Sequence, residues 1–443
     1  QFFVEYVRQL LVADPRFGDK AVTGGGLRVK TSLDLGLQAQ AYDSVYGFLK
    51  PDEPAGALVS IDNNGAIKAM VGGRDWSQSK VNLAVGKEGG GSGRQAGSTF
   101  KPFALAAALE SGMCYRTAYP GPSKMVFPKV NGGGDWTVRN YGNANYGVLD
   151  LQEATVSSVN TVYAQLALEV TPARIAAMAK ESGVSAPLEA YPSSVLGTAS
   201  VSALDLATAY MTFSQGGMRV QPLPIIEVRD ATGALLARPK IERTRVMKVE
   251  TANTVNQILQ QVVIRGSGKA AAIGSPLAGK TGTTDENGDA WFVGYTPALS
   301  TAVWMGYPDG SAHKMTKVRG IPVTGGSFPA QIFSKYMKTA TKDAPKTEFP
   351  LAQDCRRGLV PVAKDNGNDD NGATKKDKSD PAKRRRPATN VTSPDTTAPN
   401  VQLGVEIPGR RRTTETTEVV EPGTTPTTAG SEPPPVRVGR RIN

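Results

Sequence analysis

Strand-forming stretches at 56–71 and 277–306, with little but helical patterning between them, constrain this chain more than any other feature. Gly56-Ala57-Leu58-Val59-Ser60-Ile61-Asp62 and Ala66-Ile67-Lys68-Ala69-Met70-Val71 flank Asn63-Asn64-Gly65, a strong short-range hairpin signal. Leu277–Gly282, Ala290–Tyr295 and Ser300–Gly306 form a second cluster, and Asp285-Glu286-Asn287-Gly288-Asp289 supplies the turn in its first gap. Between the clusters, Pro102–Leu109 is dense in Ala and Leu and stops near Gly112, as a buried helix does. Leu151–Glu181 is broadly helical with a break around Ser157–Asn160, and Ser202–Phe213 and Thr251–Val263 are further helices. Leu37–Leu49 and Phe328–Thr341 complete the helical set. The pattern predicts an α+β fold, with one antiparallel sheet assembled from distant segments and flanked by helices.

The ends differ from the middle. Residues 1–25 open on a helical-looking run, Phe2–Leu11, then loosen through Pro15, Gly18 and Gly24 to Gly26, which reads as a connector. Residues 26–345 carry the globular patterning. Residues 346–443, most clearly from Cys355, are rich in Thr, Pro, Asn and charge and poor in aromatics. Such a segment buries too little to offset ordering entropy, so it is expected to be a disordered basic tail. From Arg356 onward there are 16 Lys+Arg against 11 Asp+Glu, so 5 of the net charge of +11 sits there. The tail is either a solvated arm or a surface attracted to an anionic envelope polymer or lipid. Nucleic-acid binding is disfavoured, because no basic stripe in the globular part is interleaved with aromatics. No apolar run approaches the length of a membrane span. The abrupt start at Gln1-Phe2-Phe3-Val4 means that this says nothing about a longer parent. Cys114 and Cys355 belong to no CxxC pattern, so metal binding is unsupported. They are either two thiols or a staple holding the end of the globular part onto it.

Three short strings carry the chemistry. Ser-x-x-Lys occurs at Ser77/Lys80, Ser98/Lys101 and Ser311/Lys314, and about two such hits are expected by chance in a chain this long. Ser77 and Ser311 lie in polar, turn-rich stretches. Ser98 follows Gly97 and opens an apolar helix, so Lys101 stands on the same face and can reach its hydroxyl. Pro102 is tolerable this close to a helix start, where developing negative charge is favoured. Phe103-Ala104-Leu105 implies burial around Lys101. A lysine in a partly apolar site can be neutral near pH 7 and act as a general base. A helix cap with a surface lysine is the bland reading.

Ser158-Val159-Asn160 occurs once, in a polar island of Thr155, Ser157 and Thr161. Its hydroxyl can relay a proton, and its carboxamide can both donate to and accept from a peptide. A loop with local side-chain to backbone bonds is the alternative. Lys280-Thr281-Gly282, followed by Thr283, is also unique and sits at the end of a predicted strand. Lys280 adds charge, Thr281 and Thr283 add hydroxyls suited to a carboxylate, and Gly282 would let a substrate backbone approach. A lysine-blunted edge strand is the alternative. The lone histidine, His313, sits in a Gly-Ser-Ala-His-Lys loop and leaves no route to a Ser-His-Asp triad, a Cys-His pair or a multi-histidine metal site.

At these residues the chain resembles the penicillin-binding protein transpeptidases, specifically those of bifunctional class A enzymes, and further stretches that look like family landmarks extend the likeness. They include Gly56–Asp62, Ala69-Met70-Val71-Gly72-Gly73, Gly97-Ser98-Thr99-Phe100-Lys101-Pro102-Phe103, Leu196-Gly197-Thr198-Ala199, Leu204–Tyr210, Asp289–Pro297 and Gly325–Ala330, covering roughly Gly26 to Thr341. The resemblance implies the penicilloyl serine transferase fold shared by D,D-peptidases and β-lactamases, with residues 1–25 as the connector after an absent glycosyltransferase domain. It implies a D,D-transpeptidase that cross-links peptidoglycan stem peptides through a serine acyl-enzyme. Ser98 is then the nucleophile, Lys101 the base, Ser158 the proton relay and Asn160 the holder of the substrate amide. Lys280, Thr281 and Thr283 then set the electrostatics and bind the terminal carboxylate, Gly282 counts with Thr281 and Thr283 among the substrate-binding residues, and the N–H groups of Ser98 and Thr283 form the oxyanion hole. Donor and acceptor stem peptides, β-lactams as covalent inhibitors, and envelope or division-machinery proteins are the implied partners. No cofactor and no metal are implied. The implied location is extracytoplasmic, with the parent anchored in the membrane through its absent N-terminal part. High Ala, Gly and Thr with a Pro/Thr-rich tail hint at an actinobacterium.

Rival readings remain on the same residues. A serine β-lactamase needs a deacylating glutamate after the second motif; Glu189 is the best placed, followed by Ala190-Tyr191-Pro192. A D,D-carboxypeptidase differs only in using water as acceptor. The non-enzyme alternative is an idle envelope-binding module. Trp136, Tyr141 and Tyr146 either line the cleft or pack a long loop.

Overall fold

The central sheet has five strands, β1 (Ala55–Asp62), β2 (Ile67–Val71), β3 (Ala278–Thr283), β4 (Asp289–Tyr295) and β5 (Leu299–Gly306). Their order is β3-β4-β5-β1-β2 with every neighbour antiparallel. The two strand clusters therefore meet along β5 and β1, where Leu299 pairs with Asp62 and Gly306 with Ala55. The computed structural model describes residues 1–355 apart from 88, 89, 92, 311 and 312. Ser311 and the tail from Arg356 onward lie outside the described residues.

Helices α1 (Phe2–Ala13), α2 (Leu35–Tyr46), α3 (Lys101–Glu110), α4 (Leu151–Val156), α5 (Asn160–Val170), α6 (Ala203–Ser214), α7 (Val249–Ile264) and α8 (Phe328–Ala340) pack around the sheet. Alternation along the strands sorts the core into two layers. Ala57, Val59, Ile61, Val293, Ala302 and Trp304 join the apolar residues of α3, α5, α6 and α7 on one face. Leu58, Phe292, Val303 and Met305 meet α2 and α8 on the other. Helix α3 is buried almost all round, from Phe103 through Ala108, which explains a composition of Ala, Leu and Phe with no polar face. Helix α6 starts on a capping box: Ser202 Oγ accepts from the Asp205 N–H at 3.0 Å and the Asp205 carboxylate accepts from the Ser202 N–H at 2.8 Å.

Four local features depart from expectation. The run after Pro15 forms a short helix, Gly18–Gly24, and α1 buries Phe3, Tyr6, Val7 and Leu11 in the main core. Residues 1–13 thus pack as part of the domain. Lys124–Asn131 and Gly134–Arg139 form a hairpin where the Gly/Asn-rich composition suggests loop. Its irregular register between Phe127 and Asn131 hides the period-two pattern. Arg28–Thr31, Ile225–Arg229 and Leu235–Ala237 form a small separate sheet. At the far end, the expected boundary at 345 moves outward. Phe349 is buried with its ring 5.7 Å from that of Tyr295, and Cys355 is bonded to Cys114.

That disulfide closes a separation of 241 residues, and Asp354 reinforces it by accepting from the Tyr115 hydroxyl at 2.9 Å. Chain-entropy reasoning gives such a long closed loop at most about 5 kcal/mol of stabilisation. A Cys114→Ser, Cys355→Ser double variant is therefore expected to melt several degrees lower than the parent. Thermal denaturation of both proteins with and without reductant checks it, with only the parent responding to reductant.

Candidate active site

The site is built where the turn entering α3 crosses the edge strand β3. Gly97–Phe100 is a single 3₁₀ turn that runs directly into α3, so Ser98 and Lys101 project from adjoining turns of one continuous element. Gly97 has φ 55°, and a Cβ there would lie 2.9 Å from Thr283 O. Gly282 faces it from β3, and a Cβ there would come 2.6 Å from Ala96 O. The two glycines let turn and strand touch. The space that Gly282 leaves free is filled by the chain's own 96–99 turn, because strand alternation points its Cβ inward with Lys280.

Thr281 and Thr283 point the other way. Thr281 Oγ1 shares a 2.7 Å hydrogen bond with Ser267 Oγ, and Thr283 Oγ1 accepts from the Gly325 N–H at 3.1 Å. The Thr284 N–H donates to Asp289 O at 3.0 Å. By antiparallel alternation the N–H groups of Thr281 and Thr283 then face away from β4, along the exposed edge. Among the described residues, neither the hydroxyl nor the N–H of Ser98 has a hydrogen-bond partner.

Behind Ser98 lie two fully buried amines, Lys101 and Lys280. Lys101 Nζ donates to Ser158 O and to Asn160 Oδ1, both at 2.7 Å, and lies 3.3 Å from Ser158 Oγ. Lys280 Nζ donates to Ser158 Oγ at 2.8 Å and to Thr281 O at 3.1 Å. Burial and then the charge of Lys280 push Lys101 well below the ordinary lysine range, and burial pushes Lys280 down to about 7. A neutral amine has two protons and one lone pair. The two short contacts of Lys101 are to oxygens that only accept, so in the neutral amine they would take both protons and leave the lone pair for a hydroxyl.

Ser158 reaches this position by adopting φ 58° in the junction between α4 and α5. The left-handed region costs a serine about 1–2 kcal/mol, and the surrounding bonds hold it there: the Ser158 N–H donates to Thr155 O at 3.2 Å and the Val159 N–H to Ala154 O at 2.8 Å. Asn160 is oriented at both ends, because its Nδ2 donates to Arg139 O at 2.9 Å while its Oδ1 accepts from Lys101.

Ser98, Ser158, Asn160, Thr281 and Thr283 line a cleft of about 680 Å³, whereas Lys101, Lys280 and Gly282 stand behind its wall. Trp136, Tyr141 and Tyr146 line the cleft too. Ser77 is exposed and bonds Asp75 at 2.8 Å, away from any buried amine. Glu189 is exposed and is not among the lining residues. Sequence reading missed Ser267 and Arg139. Ser267 sits in Gly266-Ser267-Gly268 with no pattern to flag it, and the backbone oxygen of Arg139 bears no sequence signal at all. No helix among the described residues is long and apolar enough to cross a membrane.

A serine on a helix-entering turn, two buried lysines and a threonine-lined edge strand define a serine acyltransferase site of the transpeptidase type. Residues 56–338 match the family model described as the penicillin binding protein transpeptidase domain, and the chain belongs to that family. It is 34% identical over 298 residues to penicillin-binding protein 1A of Aquifex aeolicus, covering 67% of this chain and 39% of the relative. It is 32% identical over 354 residues to penicillin-binding protein 1A of Mycolicibacterium smegmatis, covering 73% and 43%. The chain thus spans less than half the length of these relatives. Its fold is similar to that of the PonA1 protein of Mycobacterium tuberculosis solved in complex with penicillin V, with TM-score 0.70, 28% identity, and coverage of 80% of this chain and 96% of that one.

Proposed function

We propose that this chain is the D,D-transpeptidase part of a bifunctional class A peptidoglycan synthase, acting through a Ser98 acyl-enzyme that β-lactams trap. The observation that carries the reading is the fully buried Lys101 amine, 2.7 Å from two acceptor-only oxygens, Ser158 O and Asn160 Oδ1, and 3.3 Å from the Ser158 hydroxyl. A stem peptide ending in D-alanyl-D-alanine adds antiparallel to the edge of β3, as a strand adds to a sheet. Its terminal carboxylate meets Thr281, Thr283 and the Lys280 charge. Ser98 Oγ attacks the penultimate carbonyl carbon as its proton passes to Lys101. The N–H groups of Ser98 and Thr283 receive the oxyanion. The proton then moves from Lys101 through Ser158 to the departing D-alanine nitrogen as the C–N bond breaks. An amine of a second stem peptide attacks the ester, gives up a proton along the same route, and restores Ser98.

Residues 1–25 would then connect to a glycosyltransferase domain, with the parent anchored in the membrane and this part on its outer side. Other envelope proteins are candidate partners. The β-lactamase reading lacks support at Glu189, which is exposed and outside the cleft lining. Two assays test the proposal. Nitrocefin should give a single stoichiometric burst, and a stem pentapeptide donor with an amine acceptor should give cross-linked product. Sustained nitrocefin hydrolysis would favour a β-lactamase, and release of D-alanine without cross-linking would favour a carboxypeptidase.

Gly282→Ala tests the close crossing of turn and strand. Its new methyl, 2.6 Å from Ala96 O, has to push the nucleophile turn off β3. Acylation by penicillin is expected to slow about 10- to 100-fold, with the far-UV circular dichroism spectrum retained.

A further inference from the structure

An ammonium formed at Lys101 has no carboxylate to meet it. Among the described residues neither Lys101 nor Lys280 takes part in an ion pair, and both are fully buried. Lys280 faces the Lys101 amine from β3, Ser158 and Asn160 face it from the start of α5, and the ring of Tyr163 faces it from within α5. Lys101 Nζ lies 5.3 Å from the Tyr163 ring centroid. At that distance the negative face of an aromatic ring attracts a cation, and more strongly where water is excluded.

The ring is built into place. Asn160 and Tyr163 stand three residues apart on one face of α5, so the helix that brings the Asn160 oxygen to Lys101 brings the ring with it. Thr155 Oγ1 donates to Leu151 O at 2.6 Å, so it accepts from the Tyr163 hydroxyl at 2.6 Å. That bond ties the far edge of the ring to α4. Burial pushes the Tyr163 phenol above its ordinary range, so the ring brings no charge of its own near neutral pH. The same is true of Tyr210 in α6, whose hydroxyl donates to Thr99 O at 2.6 Å. We propose that Tyr163 is a positioning residue for acyl transfer, its ring face stabilising the Lys101 ammonium while that lysine carries the nucleophile's proton. The proposal rests on the function given above. As Ser98 Oγ bonds the carbonyl carbon, its proton passes to Lys101 Nζ and the carbonyl π electrons move to the oxygen. Without the ring, the new ammonium would face Lys280 with only neutral oxygens to offset it. The ring works against burial and Lys280, both of which loosen the hold of Lys101 on a proton.

Fluorination tests this at nearly constant shape, because fluorine draws electron density off the ring face. The pH profile of Ser98 acylation by benzylpenicillin is measured for the parent, for Tyr163→Phe, and with mono-, di- and trifluorophenylalanine placed at position 163. Tyr163→Phe keeps the ring and should keep the acid limb close to the parent's. Each added fluorine should move that limb to lower pH, by up to about one unit for the trifluoro ring, because Lys101 then holds its proton less tightly. Tyr163→Leu should shift it in the same direction while also melting lower, from the cavity it leaves. Should the phenylalanine series fail to fold, fluorotyrosine at position 163 keeps the bond to Thr155 and carries the same expectation. A limb that ignores fluorination or moves to higher pH overturns the proposal. So does a shift already complete in Tyr163→Phe, which would assign the effect to the hydroxyl. A parent protein that benzylpenicillin does not acylate at Ser98 sinks the transpeptidase reading first. An acylated parent whose limb is indifferent to the ring sinks only the role of Tyr163.

Discussion

Ser98→Ala is expected to abolish covalent labelling of this chain by a fluorescent penicillin while leaving its stability within about 0.5 kcal/mol of the parent's. The Ser98 hydroxyl has no hydrogen-bond partner among the described residues, so its removal orphans nothing buried. The turn stays in place through the Thr99 hydroxyl, which donates to Ala96 O at 2.7 Å, and the Tyr210 hydroxyl, which donates to Thr99 O at 2.6 Å. Within the described residues no second Ser-x-x-Lys stands ready to take over, since Ser77 is exposed and tied to Asp75. In-gel fluorescence and intact mass read the result. Labelling that survives the substitution would place the nucleophile elsewhere and sink the mechanism at its first step.

Lys101→Met should slow acylation by about 10²–10⁴-fold, the range for loss of a positioned proton acceptor. It also leaves Ser158 O and Asn160 Oδ1 without their 2.7 Å donor, at about 1–3 kcal/mol for each orphaned acceptor. A melting curve must therefore accompany the kinetics. The pH profile separates the base from a merely structural lysine. Acylation rises with pH as Lys101 loses its proton, and two causes hold that proton loosely: burial first, then repulsion from Lys280. Lys280→Met removes the second, so Lys101 binds its proton more tightly and the acid limb moves to higher pH. Overall rates fall too, because the carboxylate loses its counter-charge. An acid limb that stays put or moves to lower pH would exclude Lys101 as the base.

Local patterning was enough for the central sheet. Asn63-Asn64-Gly65 turns β1 into β2, and the three later runs became β3, β4 and β5 within a residue or so of their expected bounds. What local patterning does not reveal lies where a local rule is overridden. The helix break around Ser157–Asn160 is legible in the sequence, but the left-handed conformation that Ser158 takes within it is not. The 124–139 hairpin hides its alternation behind an irregular register. Residues 346–355 have the composition of a tail, yet Phe349 and Cys355 bind them to the domain.

The candidate site divides in the same way. Sequence alone determined which groups were on hand: two serines, two lysines, an asparagine and two threonines in three ordered strings, with one histidine in the whole chain. Side-chain chemistry is a local property, and those identities already narrow the reaction to acyl transfer through a hydroxyl and an amine. Tertiary structure decided what state the groups are in. Ser158 meets Lys101 and Lys280 across sequence separations of 57 and 122 residues, and the packing that brings them together also strips water from both amines. A lysine's proton affinity depends on the dielectric and charge around it. Its readiness to act as a base is therefore set by helices and strands far away in sequence.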